Sequence, residues 1–315
     1  MPRPYKVLEC GYQKAAYFYW KIYQEGCVKI MKISTEIQSI SERVGERKAV
    51  ELCAKAGFDG WDFSMFDMCR YLWPEDIVVD SKHPLRTNEY LKFARELKKI
   101  GLDNGIVCNQ SHAPFPVDIP EVRSYQKRAI ECTAEAGGEI CVIHPDNNKS
   151  PEENAEMYME LLSFAKDCGV KIATENMWNR APDRSIVRAA CSDPEDFCRH
   201  IDILDGEIVA CLDIGHAEMR TLNTSAVELI YALGDRLQAL HIHDNDCHHD
   251  SHQIPFSMDI DFAAIVKALK EIGYCGWFTL EADCYLKKFD SATVFRGVQD
   301  LAASAKKLVK MFEEA

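Results

Sequence analysis

Several familiar signatures are missing from this chain of 315 residues. Its 14 cysteines form no C-x-x-C pair, which removes zinc ribbons and thioredoxin-type redox sites. Neither G-x-G-x-x-G nor G-x-x-x-x-G-K-[ST] occurs, so the usual fingerprints of dinucleotide-binding and P-loop sheets are absent. Long apolar runs are lacking too. The longest covers residues 15–20, far short of the roughly 20 that a membrane-spanning helix needs. No apolar stretch near the N-terminus ends in small residues in the manner of a signal peptide. These features predict a cytoplasmic chain without a membrane partner, with Cys53, Cys132, Cys141 and Cys211 as buried, reduced thiols in apolar segments. Positive charge is also short. Lys and Arg number 37 against 50 Asp and Glu, a formal charge of −13, which disfavours nucleic acid as a partner.

The composition that remains, 47% apolar and 28% charged, is that of a globular protein. Short apolar segments at residues 32–36, 60–64, 105–111, 140–144, 171–175, 208–213, 237–243 and 276–281 predict buried parallel strands. Between and after them, residues 42–55, 88–100, 120–136, 152–167, 194–204, 226–233, 261–272 and 292–312 carry helical patterns. Ser150-Pro151-Glu152 and Asp193-Pro194-Glu195 read as helix starts, and Gly57 and Gly101 as stops. Parallel strands need right-handed crossovers, and eight strand–helix units close into a (β/α)8 TIM barrel. The reading is an α/β chain with a single barrel domain over residues 31–315. Residues 1–30, with Tyr12, Tyr17, Phe18, Tyr19, Trp20 and Tyr23, form an N-terminal extension outside it. It reads as a helical extension packed on the barrel or on a partner, or as the product of an upstream start codon; separately, the chain is expected to form a homo-oligomer or to have a partner subunit.

Active sites of such barrels sit where the strands end. Six of the predicted strands end on or beside a titratable residue: His112, His144, Glu175, Asp213, His243 and Glu281. Taken singly, each is an ordinary helix cap, loop acid or core histidine. Together at one barrel mouth, they would repel one another without a cation. Glu175, Asp213, His243 and Glu281 are therefore expected to hold one divalent metal. Three carboxylates and an imidazole form a hard site, so Mn2+ comes first, with Mg2+, Co2+ or Zn2+ as substitutes. Phe115, Trp178 and Trp61 are candidate pocket walls.

The motifs SHAPF (111–115), HP (144–145), EN (175–176), LDIGH (212–216), HIHDND (241–246), DSH (250–252), IDF (260–262) and GYCGWFTLE (273–281) carry a resemblance over roughly residues 32–310. As an ordered set they resemble the xylose isomerase-like TIM-barrel superfamily of sugar-phosphate isomerases and epimerases, which includes endonuclease IV. The resemblance implies that Glu175, Asp213, His243 and Glu281 match the metal ligands of ketose 3-epimerases, and that His216 helps hold substrate. His249 stands at the spacing where those epimerases carry a substrate-binding arginine. The resemblance to the three-zinc endonuclease IV covers His112, His144, Glu175, Asp213, His216, His243, Asp250, His252 and Glu281.

The expected function is a metal-dependent isomerase or epimerase, or a β-eliminating dehydratase or C-glycoside lyase, acting on a keto-sugar by proton abstraction beside a carbonyl. Glu175 and Glu281 are the expected proton-handling pair, with His144 as a further catalytic group. His112, His216, His249, His252 and Trp178 are expected to bind substrate. The alternatives are a zinc phosphodiesterase and a non-catalytic metal-binding subunit.

Overall fold

The computed structural model describes residues 31–72 and 75–315. The expected extension over residues 1–30 lies outside them. Residues Lys32–Ala315 form one compact unit.

Eight parallel strands build its centre: β1 Lys32–Thr35, β2 Gly60–Ser64, β3 Val107–His112, β4 Ile140–Val142, β5 Lys171–Glu175, β6 Val209–Asp213, β7 Leu237–His241 and β8 Trp277–Leu280. Strands β2 to β7 form one continuous parallel sheet in chain order, and β1 pairs with β8. Parallel bridges between Glu36 and Asp62 and between Ile242 and Leu280 close the two seams. The ring is thus complete, as the strand count predicts. No helix of the described residues is long and apolar enough to cross a membrane.

Three of the four predicted helix start and stop signals hold. Ser150 and Glu153 form a reciprocal capping box at helix Pro151–Asp167. Asp193 accepts from the backbone of Glu195 and Asp196 at helix Pro194–Asp202. Gly57 ends its helix in the left-handed conformation. Gly101 does not act as a stop, for helix Tyr90–Asp103 runs through it. A Cβ there would lie 3.0 Å from the Ile106 carbonyl and 3.1 Å from Trp61 Nε1, so the missing side chain serves close packing. The segment read as one helix over 42–55 is two, Gln38–Val44 and Glu46–Ala56, broken at Gly45 with φ 77°.

Inside the barrel, near the mouth, the filling is polar rather than branched aliphatic. Ser34 Oγ bonds Thr279 Oγ1 at 2.9 Å, which also receives Asn109 Nδ2 at 3.1 Å and donates to Gln110 Oε1 at 3.2 Å. This hydrogen-bonded layer lies beneath the strand ends and satisfies groups that burial would otherwise penalise. Trp61, one of the expected pocket walls, is fully buried and packs edge-on against Phe63.

Two short hairpins escape the periodicity reading. One pairs Tyr71–Leu72 with Ile77–Val78 after β2, and the other pairs Trp178–Arg180 with Ile186–Arg188 after β5. The first loop is tied down by His83, whose Nε2 lies 2.6 Å from Glu46 Oε1. Burial pushes the Glu46 carboxyl up, but the His83 hydrogen bond and nearby positive charge outweigh it, and its pKa falls below 4.5. The hydrogen bond to the Glu46 carboxylate therefore stabilises the fold above about pH 4.5 and is lost as pH falls through the lower native value. Glu46→Gln is expected to cost about 1 kcal/mol at pH 7, or about 2–4 °C in Tm. In thermal melts that deficit should shrink at pH 3.5; a deficit independent of pH would refute a role for the Glu46 carboxylate.

Candidate metal centre

Ten residues from the end of β3 to the turn after β8 place imidazoles and carboxylates, rather than apolar bulk, at the barrel mouth. Their ligand atoms fall into three mutually close groups: Glu175, Asp213, His241 and Glu281; His112, Glu175 and His241; and His216, His243, Asp250 and His252, each within 4.8 Å. Glu175 stands at the junction. His241 Nδ1 lies 3.2 Å from Glu175 Oε1 and 3.4 Å from Glu281 Oε2. On the other side, His144 and His112 Nε2 lie 3.2 and 3.5 Å from Glu175 Oε2. In the remaining group, Asp250 contacts His252 at 3.0 Å, His216 at 3.3 Å and His243 at 3.6 Å.

Backbone groups aim these side chains. Nδ1 of His112, His216 and His252 each bonds a main-chain carbonyl, of Ala113, Asn176 and Glu281, at 2.8–2.9 Å. A carbonyl only accepts, so Nδ1 carries the proton and Nε2 offers its lone pair to the cluster. His241 is turned the other way: Nε2 faces Asp62 Oδ2 at 3.4 Å, and Nδ1 faces the ligand group. Asp62 is a backing carboxylate that the sequence reading missed; it lies mid-strand and ends no motif. Asn176 fixes Asp213 from two sides, donating to its carbonyl at 2.9 Å and accepting its N–H at 2.8 Å. Asp213 Oδ1 in turn caps the next turn at the His216 N–H, 2.7 Å away. Gly215 lets the ring of His243 lie against the backbone, since a Cβ would sit 1.9 Å from its Cε1.

The donors fit cations. His144 Nε2, Glu175 Oε2, Asp213 Oδ2, His241 Nδ1, His243 Nε2 and Asp250 Oδ1 are buried and make no hydrogen bond. Buried polar atoms are rarely orphaned, and a cluster of orphans facing one another marks a site for an ion. Electrostatics agree. Burial opposes charge on Glu175, yet His241, His112 and His144 hold its carboxyl well below the usual range. Burial lowers His216, but Asp213 and Asp250 push it up to about 10; a bound ion would take the place of the proton that this negative field draws to Nε2. His144 is pushed down to about 4 by burial and the His112 charge, which keeps it neutral and ready to donate a lone pair.

The expected quartet of Glu175, Asp213, His243 and Glu281 is not the one that converges. β7 ends at His241, and this residue meets Glu175 and Glu281. His243, beyond the sheet, lies 3.1 Å from Asp213 Oδ1 and stacks on His252 at 3.8 Å. His112, His144, His216, His252 and Trp178 all line the cavity above the cluster, with Trp178 Nε1 bonding Asp250 Oδ2 at 3.1 Å. His249 does not. Its side chain is 77% exposed and tied to Asp246 at 2.8 Å; Asp246 also accepts the His248 and His249 N–H groups, turning this segment outward.

Residues 50–311 match the family model described as xylose isomerase-like TIM barrel. The chain belongs to this family. A sequence relative, the uncharacterised protein MJ1311 of Methanocaldococcus jannaschii, is 27% identical over 254 residues, covering 74% of this chain and 78% of the relative. Among solved structures, a D-tagatose 3-epimerase-like protein matches with a TM-score of 0.64 at 22% identity, covering 90% of this chain and 99% of that one. The 3-keto-D-glucoside 4-epimerase YcjR of E. coli matches at 0.61 and 18% identity, covering 87% and 99%. At these identities the structural matches establish the fold.

The geometry separates His241 from His243 experimentally. His241→Ala is expected to remove the ion of the Glu175–Asp213–Glu281 group, and His243→Ala to weaken only the Asp250 group. Elemental analysis of purified protein, with circular dichroism as the control for folding, checks both. Full retention of metal in His241→Ala would overturn the assignment.

Proposed function

We propose that this barrel is a divalent-metal-dependent isomerase or epimerase, or a related lyase, acting on a keto-sugar or sugar derivative. The observation that carries the reading is the pair Glu175 and Glu281 at the floor of one cavity, flanking His241 within a single ligand group. Glu175, Asp213, His241 and Glu281 would hold the principal ion, Mn2+ by the hardness of the donor set. Such an ion polarises a carbonyl and acidifies the neighbouring C–H.

The chain's own residues do the rest. Glu175 and Glu281 come from strands on different sides of the ring, so their carboxylates reach a substrate from different directions. One removes the proton beside the carbonyl and the other returns it, which inverts or relocates the centre. Where a leaving group stands β to that carbon, the same abstraction ends in elimination. His144, neutral and facing the cavity, is placed to bond a substrate oxygen, and His112 and His216 flank it. The site suits a small-molecule carbohydrate partner.

A second reading has its own observation. With His241 in place of His243, the three groups reproduce the donor pattern expected of a trinuclear zinc phosphodiesterase. Metal content divides the two: about one Mn2+ or Mg2+ per chain supports the sugar enzyme, and about three Zn2+ the phosphodiesterase.

Incubating keto-sugars in D2O tests the chemistry directly. The hydrogen beside the carbonyl should exchange even when turnover is slow. Glu175→Gln or Glu281→Gln should suppress that exchange by about 10²–10⁴-fold, with metal content measured on the same samples. Cleavage of abasic-site DNA without any sugar exchange would replace the first reading by the second.

A further inference from the structure

The cavity above the metal centre is much larger than a single sugar ring requires. Its volume is about 1060 Å3, the upper end of what drug-sized ligands occupy, roughly 300–1,000 Å3. Its floor and its outer part differ in chemistry. The floor is the imidazole and carboxylate cluster. The outer part is walled by Phe66, Leu72, Phe115, Met177 and Trp178, brought together by the loops after β2, β3 and β5. Phe66 and Phe115 pack edge-to-face at 5.0 Å. Phe115 and Leu72 are each 37% exposed, a cost that a ligand covering them would remove. A free sugar can lay one C–H face on a single ring, but it has no apolar surface to cover Phe66, Leu72, Phe115 and Met177 together.

The charges are as informative. Outside the donor cluster and the buried Glu36, the described lining residues carry four carboxylates, Glu42, Asp118, Asp146 and Asp283, and three cations, Arg70, Arg180 and Lys287. Arg70 is held by Asp67 at 3.1 Å and Glu42 at 3.3 Å, and Lys287 lies 3.8 Å from Asp283. Arg180 sits over the Trp178 ring at 5.4 Å. In the same outer part, Asp118 is raised by burial and then by the nearby Asp146 charge, so acids already crowd one another there. A phosphate or carboxylate in that outer part would meet Asp118 and Asp146 and would find Arg70 and Lys287 already engaged by acids.

We infer that the substrate is an uncharged sugar derivative carrying an apolar, ring-sized substituent, with the sugar on the metal centre and the substituent against Phe66, Leu72 and Trp178. The inference rests on the sugar reading of the site and narrows it to unphosphorylated glycoside-like compounds.

Three probes sharing one keto-sugar test it: the methyl 3-keto-glucoside, the phenyl 3-keto-glucoside and 3-keto-glucose 6-phosphate. In calorimetric titration of the metal-loaded protein, the phenyl compound is expected to bind at least tenfold more tightly than the methyl compound, and the phosphate more weakly than either. The phenyl-to-methyl ratio should persist after chelation, because no wall residue is a metal donor. Leu72→Ser, at an exposed position that does not threaten folding, should lower that ratio several-fold. Equal affinity for phenyl and methyl compounds, or tightest binding of the phosphate, overturns the inference. Deuterium exchange on the same samples keeps the two readings apart. Exchange with no phenyl preference fells the inference and leaves the sugar reading standing; phenyl preference without exchange in any compound fells the proposed reaction and leaves the chamber assignment standing.

Discussion

A single buried carboxylate organises the mouth of this barrel. Glu175 is 1% exposed and belongs to two of the three donor groups at once. An ionised carboxylate so deeply buried is tolerated only when opposite charge and hydrogen-bond donors surround it. Here the surroundings are His112, His144 and His241, which converge on it from three other strands or strand ends. Two of these imidazoles are in turn fixed by their far sides: His112 on the Ala113 carbonyl, His241 on Asp62. The polar layer of Ser34, Asn109, Gln110 and Thr279 lies under the same ring. What would be the hydrophobic top of the barrel is thus given over to holding charge, and the apolar core shifts outward between strands and helices.

The loop after β7 shows how such a site is carried on irregular chain. Asp244 is fully buried, and its carboxylate accepts the N–H groups of Asn245, Ser257, Met258 and Ile260. One acid thereby folds a long loop back on itself. The product is the placement of Asp250 and His252, whose Nδ1 reaches across to the Glu281 carbonyl at 2.8 Å. Donors from two loops become one group because a carboxylate that touches no ligand position spans them.

Much of this was legible in the sequence, and the parts that were not fail for identifiable reasons. The barrel follows from alternating apolar runs and amphipathic segments, since eight such repeats leave few other closures. Glu175, Asp213 and Glu281 were readable because each ends or directly follows an apolar strand. The choice between His241 and His243 was not. Side chains alternate across a strand, so 241 and 243 share a face, and only the point where pairing stops decides which one reaches the centre. That point depends on β8, whose bridge from Leu280 to Ile242 is the last of the ring. His249 failed differently: its spacing suggested a substrate contact, but Asp246 captures the local N–H groups and turns the segment to solvent. Hairpins of two or three residues leave no period to detect.

The same division separates chemistry from selectivity. The candidate metal donors sit on strand ends or are pinned by backbone carbonyls, where packing fixes them. The walls that meet the outer part of a substrate, Leu72 and Trp178 among them, sit on hairpins that contribute no strand to the ring. Substitutions there leave the barrel's hydrogen bonding untouched, so such positions vary at little cost to stability. The exception is Trp178, whose indole N–H bonds Asp250. Through that bond a pocket wall and a candidate donor share one geometry, and a ligand that moves the wall also bears on the donor group beneath it.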